Sequence, residues 1–187
     1  MFRSVISGIA TLVVLAQPVS GQAPLSPDEL LAGTAGKWRG ELQYRDYQSN
    51  AWQGLPVRVS VVAQRDGVTT VRTAEFDDGP QTGLVWITTV RQVDLASAAI
   101  AYAIARKGRP LDSGTARLIQ PQPATDLRHW ILVETELRRD GDGMAQVRET
   151  TTRSGNSMIT VKEVNPVDDG KDEWLPRNRT VLKRSGS

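Results

Sequence analysis

The stretch Gly36-Lys37-Trp38-Arg39-Gly40-Glu41-Leu42-Gln43-Tyr44-Arg45-Asp46-Tyr47 alternates between two unlike faces. Trp38, Gly40, Leu42 and Tyr44 share one side; Arg39, Glu41, Gln43 and Arg45 share the other. Side chains alternate across a β-strand, so the pattern describes a strand with one dry face and one wet face. Leu55 to Gln64 repeats the pattern, with Leu55, Val57, Val59, Val61 and Ala63 on one side, and Arg65-Asp66-Gly67 follows as a hairpin signal.

Working outward, further strands are expected over Val68 to Phe76, Gly83 to Val93, Gly114 to Ile119, Leu127 to Arg139, Met144 to Arg153, Ser157 to Val164 and Glu173 to Arg184. Ala98 to Arg106 is ambiguous: alanine favours helix, yet Ile100, Tyr102 and Ile104 alternate with alanines. We read it as a strand whose small face suits a crowded barrel wall. Asp77-Asp78-Gly79-Pro80, Asp140-Gly141-Asp142-Gly143 and Asp168-Asp169-Gly170 punctuate the strands. Acid beside glycine is turn chemistry, and none of these sites has the spacing of a calcium loop, so no metal is expected. No helix stands between strands, which specifies consecutive antiparallel hairpins. The expected fold class is all-β, an antiparallel up-and-down closed barrel of about 8–10 strands with a short N-terminal helix. Closure removes the edges an open sheet of that width would leave.

The helix starts at Ser26-Pro27-Asp28-Glu29, where serine caps, proline suits the first turn and Glu29 completes a capping box. Before it, Met1-Phe2-Arg3-Ser4 is a short positive start and Val5 to Ala16 an uncharged, mostly apolar run. Gln17 to Ala23 then offers a turn and small residues. That is the layout of a secretory signal peptide over residues 1–23, leaving residues 24–187 as one barrel domain. The apolar run is short for a membrane span, so no transmembrane segment is expected after cleavage. The location implied is periplasmic or secreted.

The 187 residues carry 23 basic and 21 acidic side chains, a net charge of +2. The basic residues are scattered among acidic ones, which argues against a nucleic-acid partner. Cysteine is absent, which removes disulfides, thiolate catalysis and Cys-based metal sites. An outer-membrane barrel is excluded by mid-strand Arg39, Glu41 and Arg45, and by Glu134, Glu136 and Arg138, all read as facing out.

Gly36-Lys37-Trp38, after a short helix and at the first strand, resembles the Gly-x-Trp of the lipocalins and the wider calycin group. The second lipocalin motif is not matched: Arg45-Asp46-Tyr47 is similar to Thr-Asp-Tyr but lies in a different strand. The resemblance implies a ligand-binding barrel in which a basic residue near the end of the chain packs across Trp38; Arg184 has that position.

Among candidate pocket residues, Arg72 shares parity with Ala74 and Phe76, and Glu149 with Ala145 and Val147. A buried carboxylate needs a partner, and Arg72 is the candidate. The pair reads either as an anchor for a polar or anionic ligand or as a structural ion pair. His129, the single histidine, shares parity with Ile131 and Val133 and would serve as a haem ligand, a head-group contact or a mouth residue. Tyr44, Tyr102, Asn178 and Thr180 are further polar groups on apolar faces, while the five tryptophans read as packing. The sequence thus points to an exported, soluble barrel holding a small hydrophobic or amphipathic molecule, with no cofactor implied. Two rivals stand beside it: an enzyme using Glu149 or His129 as acid or base, and a ligand-free envelope interaction module.

Overall fold

The computed structural model describes residues 23–46, 48–141 and 143–186. The expected signal peptide, apart from Ala23, lies outside the described residues. A helix α1 (Pro27–Ala32) precedes ten strands: β1 (Gly36–Arg45), β2 (Trp52–Ala63), β3 (Thr69–Asp77), β4 (Leu84–Asp94), β5 (Ala99–Arg106), β6 (Asp112–Ile119), β7 (His129–Asp140), β8 (Gly143–Ser154), β9 (Ser157–Pro166) and β10 (Leu175–Arg184). A single turn, α2 (Gly79–Thr82), joins β3 to β4. Every strand pairs antiparallel with its sequence neighbour, and β10 returns to β1, so the sheet closes. The ambiguous alanine segment is the strand β5.

Turn chemistry sets the hairpins. Asp66 accepts from the amides of Val68 and Thr69, and Asp94 from those of Ala96 and Ser97. Such side-chain mimics of a backbone turn are why aspartate recurs at these positions. Gly40 has a different reason. A Cβ built there would lie 1.8 Å from the Val181 carbonyl oxygen of β10. Only glycine permits the two backbones to approach so closely at the closing seam.

One end of the barrel is packed shut. The backbone amide and hydroxyl of Ser26 both donate to the Glu29 carboxylate at 2.8 Å, starting α1. The helix then lays Leu30 and Leu31 onto Val93, Ile100, Leu118, Trp130 and Leu132. Burying a leucine of that kind contributes roughly 1.5–3 kcal/mol. A second cluster joins Trp38 to Val57, Val59, Val61, Ala74, Met158 and Leu182. The Trp38 indole donates to the Thr34 carbonyl at 2.9 Å, tying β1 to the end of the helix.

Beneath that ring lies a buried guanidinium. Arg153 sits 4.2 Å from the Trp38 ring centroid and Arg184 5.1 Å away, while Arg184 also donates to the Ala35 carbonyl. Arg153 is 3% exposed, and its Nε and Nη1 have no hydrogen-bond partner. Burial, reinforced by Arg184 and Arg128, pushes its pKa down to about 10. The expectation that a terminal basic residue reaches Trp38 thus meets a second cation that parity alone did not single out.

The other tryptophans divide. Trp130 is buried, whereas Trp52 and Trp174 lie beneath Arg179 and Arg148, and Trp86 is 54% exposed. The reading of all five as packing is therefore corrected: outward-facing parity on a barrel leaves an aromatic ring in water unless a neighbour covers it.

Candidate functional site

Above the packed end the interior is ionic. β7 changes character along one face: Trp130 and Leu132 are buried among apolar side chains, and the next residues on that face are Glu134, Glu136 and Arg138. These three were expected outside and instead point into the barrel. His129, Ile131 and Val133 take the opposite face. The mid-strand charges on β1 and β2 do face out, so Arg39, Glu41 and Arg58 still argue against a lipid-facing wall.

Register then sets up a conflict. Glu134 stands directly opposite Glu149 on β8, and Glu149 directly opposite Lys162 on β9. Like charges opposite each other on one face repel, more so out of water. Cations from the far wall answer them. Arg91 on β4 donates to the Glu134 carboxylate. Burial opposes the charge on Arg91, but Glu134 and Glu149 together hold its pKa above the usual value. Burial wins at Glu134, whose carboxyl is raised despite Arg91, with Glu149 adding to the rise. Lys162 does not bond Glu149; its Nζ lies 3.0 Å from Asp140, which Arg177 also meets at 3.1 Å. Burial pushes the Asp140 carboxyl up, yet Lys162 and Arg177 hold it below the ordinary range.

A second network crosses a weak seam. β6 and β7 pair only through Arg117–Thr135, Leu118–Glu134 and Ile119–Val133. Beyond those pairs, side chains bridge the gap. The Tyr102 hydroxyl donates to Glu136 at 2.9 Å, Arg138 donates to that hydroxyl at 3.3 Å, and Arg138 reaches Asp112 at 3.6 Å. Burial, together with the bond to Glu136, pushes the Tyr102 hydroxyl up to about 12, so it stays a donor. The ring leans over Gly114, where a Cβ would meet the hydroxyl at 2.6 Å.

These groups surround a partly open cavity of about 230 Å³. Two of its charges are left without a bonded partner. Arg72, deep in the barrel on β3, makes no hydrogen bond or ion pair among the described residues. Burial and the neighbouring Arg91 push its pKa down to about 10, offset only in part by Glu149. Glu149 likewise has no hydrogen bond, although it acts electrostatically on Arg72, Arg91 and Arg138. A guanidinium and a carboxylate thus face one space without closing on each other.

Of the residues singled out in the sequence, Arg72, Tyr102, Glu149, Asn178 and Thr180 line this cavity. Tyr44 stands at the rim, 47% exposed, and is not part of the lining. His129 is excluded from it. The imidazole is on the outside, 63% exposed, with Nδ1 3.1 Å from Asp126. Its shared parity with Ile131 and Val133 is real, but those residues line the outer, half-buried face. Sequence reasoning missed Arg91, Glu134, Glu136, Arg138 and Lys162. A signal for Arg91 was present, since it alternates with Ile87, Thr89 and Val93.

The arrangement can hold a charged or strongly polar group through Arg72 and present apolar surface beside it from Ile104, Val147, Met158 and Leu182. Among the described residues no group of three or more His, Asp or Glu side chains is placed to hold a metal ion. No protein-family model matches the chain, and no curated protein matches it either.

Proposed function

We propose that this barrel is a container for one small amphipathic molecule, with an anionic head on Arg72 and an apolar body against Ile104, Val147, Met158 and Leu182. The observation that carries the reading is the unpaired Arg72 guanidinium facing a cavity. A buried cation without a partner is costly, and an anion placed beside it recovers that cost through charge-assisted bonds. The other cations of the lining are already answered: Arg91 bonds Glu134, Lys162 bonds Asp140 and Arg138 meets Glu136 and Asp112, which leaves Arg72 as the cation without a bonded acid among the described residues. The 230 Å³ lies below the roughly 300–1,000 Å³ of pockets for larger ligands, so the occupant is small.

The closed ten-strand barrel is compatible with the calycin group that Gly36-Lys37-Trp38 resembles, and containers of this shape are what that resemblance implies. On the strength of Arg3, the apolar run Val5 to Ala16 and the small residues before Pro24, the same proposal puts the protein in a periplasm or the medium. N-terminal sequencing of protein from its source is expected to begin at Pro24; an N-terminus at Met1 would remove that part of the reading.

Thermal melting with octanoate, octanol and octylammonium separates the chemistries. Octanoate is expected to raise the midpoint most, by about 2.7 kcal/mol of stabilisation at a hundredfold excess over Kd. Arg72→Met is expected to abolish the effect. Equal shifts with octylammonium would refute the anionic head.

A second reading, acid–base catalysis, has one observation in its favour: Glu134 carries a raised carboxyl in the cavity. Its bond to Arg91 gives that carboxylate a structural role already. Glu134→Gln should leave octanoate binding largely intact if the barrel is a container.

A further inference from the structure

The outer wall holds a feature that the cavity does not use. Across β2, β3, β4 and β5 the outward residues Val62, Val71, Val90 and Ala103 stand in direct register, forming one apolar row. On β4 the same face carries Leu84 and Trp86, which are 53% and 54% exposed, set off from Val90 by Thr88; opposite them on β3 stand Asp77 and Glu75, the latter bonded by Arg58. The alanines of β5 also face outward, so nothing tall screens this wall from the β5–β6 side. Toward the mouth, a groove of about 450 Å³ runs between Trp86, Ala105 and Leu111, and its rim is Arg106, Lys107 and Arg109. All three cations are exposed, and none makes an ion pair among the described residues. An exposed tryptophan and two exposed leucines grouped beside unpaired cations are the composition of a binding surface.

The charge around the mouth is lopsided. The β5–β6 hairpin carries Arg106, Lys107 and Arg109, while Asp112 after it is held by Arg138. The neighbouring β3–β4 turn adds Asp77 and Asp78, which still leaves a positive excess. On the far side of the ring the β9–β10 loop exposes Asp168, Asp169, Asp172 and Glu173 with only Lys171 against them. A negatively charged plane would therefore attract the β5–β6 side and repel the β9–β10 side.

We propose that this β4–β5 face, with Trp86 and Leu111 flanked by Arg106, Lys107 and Arg109, is a docking surface for an anionic lipid bilayer. Aromatic and leucine side chains enter the head-group boundary while adjacent cations meet lipid phosphates, the usual division of labour at a membrane surface. The dock is peripheral, because the exposed charges Arg39, Glu41 and Lys183 on the β1–β10 wall forbid immersion. It brings the β5–β6 rim of the cavity mouth to the surface where amphipathic molecules reside. The inference stands on the outer wall alone and survives if the cavity proves to take something else.

Vesicle flotation tests it, with phosphatidylglycerol–phosphatidylcholine vesicles against phosphatidylcholine alone. Residues 1–22 include an apolar run, so every variant is compared with the unaltered chain in the same form. The unaltered protein is expected to float with the anionic vesicles, less so as salt rises, with a blue shift of tryptophan emission that Trp86→Ser removes. Each cation at an anionic surface contributes about a fivefold change, so reversing Lys107 and Arg109 to glutamate should weaken flotation at least about 25-fold. Reversing Arg39 and Lys183 on the opposite wall should change it far less. Equal loss from both pairs, equal binding to both vesicle types beyond what the N-terminal run gives, or a dimer in sedimentation that Trp86→Ser dissolves would each overturn the proposal.

Discussion

Two interior arginines, the buried Arg153 at the closed end and the half-buried Arg72 in the open half, have had their pKa values driven to about 10, each chiefly by loss of solvation. What surrounds them differs. Arg153 has the Trp38 ring face 4.2 Å away, filling the space a counter-ion would take. Arg72 has a cavity. A cation over indole gains about 0.5–2 kcal/mol, and that term belongs to the fold itself. Arg72 has no ring over it and only the unbonded Glu149 to offset its burial, which is the difference on which the proposed anchoring role rests. The lesson is that similar titration behaviour separates a structural cation from an anchoring one only when the space beside each is read as well.

The comparison breaks most visibly at Trp38. Trp38→Ala removes the ring from the core and uncovers Arg153 and Arg184 together, so urea unfolding should show a loss of about 4–5 kcal/mol, the upper end for a buried tryptophan. A loss under about 1 kcal/mol would mean that the closed end does not rest on this stack. Gly40→Ala comes next. Its methyl would strike the Val181 carbonyl oxygen, and the closing seam should lose about 3 kcal/mol in the same measurement.

The open half should respond with the opposite sign. Arg72→Met replaces an interior cation with no bonded partner by an apolar chain of similar length, and should raise the stability of the empty protein by about 1–2 kcal/mol. Stability gained together with octanoate binding lost is the signature of an anchor. Stability lost would make Arg72 a structural partner of Glu149.

The smallest effect is in pH dependence. Burial sets the folded pKa of Glu134 above its unfolded value, so between the two the native state holds a proton that the unfolded chain has released. Stability from this group therefore falls as pH rises through that window, and is lowest above the folded pKa. The wild-type stability minus that of Glu134→Gln should decline from acid toward neutral pH. A rising difference would mean that Arg91 outweighs burial.

Much of the barrel was legible before any coordinates. Alternation in β1 and β2, with aspartate and glycine at the turns, gave strands, hairpins and closure, and the Ile100-Tyr102-Ile104 rhythm outweighed alanine's helical preference. The alanines themselves turned out to cover the outside, where they open a groove instead of relieving crowding. β7 was misread because both of its faces are apolar at the start: Trp130 and Leu132 on one, Ile131 and Val133 on the other. Alternation shows that faces differ but not which one is inside. The charged trio Glu134, Glu136 and Arg138 was assigned to water by default, which put His129 inside by the same inversion. Arg72 and Glu149 were readable because their neighbours in parity, Ala74 and Phe76, Ala145 and Val147, leave no ambiguity. The Arg153 contact with Trp38 needed the third dimension, since β8 and β1 are distant in the chain and not adjacent in the sheet.

The central claim is that Arg72 receives an anion inside the barrel. The most direct measurement follows the Nε–Hε signal of Arg72 by nuclear magnetic resonance, assigned with Arg72→Met, while octanoate is added. The account predicts that this signal moves and saturates at one equivalent, with the guanidinium signals of Arg153 and Arg184 unmoved. An Arg72 signal that stays in place while octanoate binds elsewhere would contradict it.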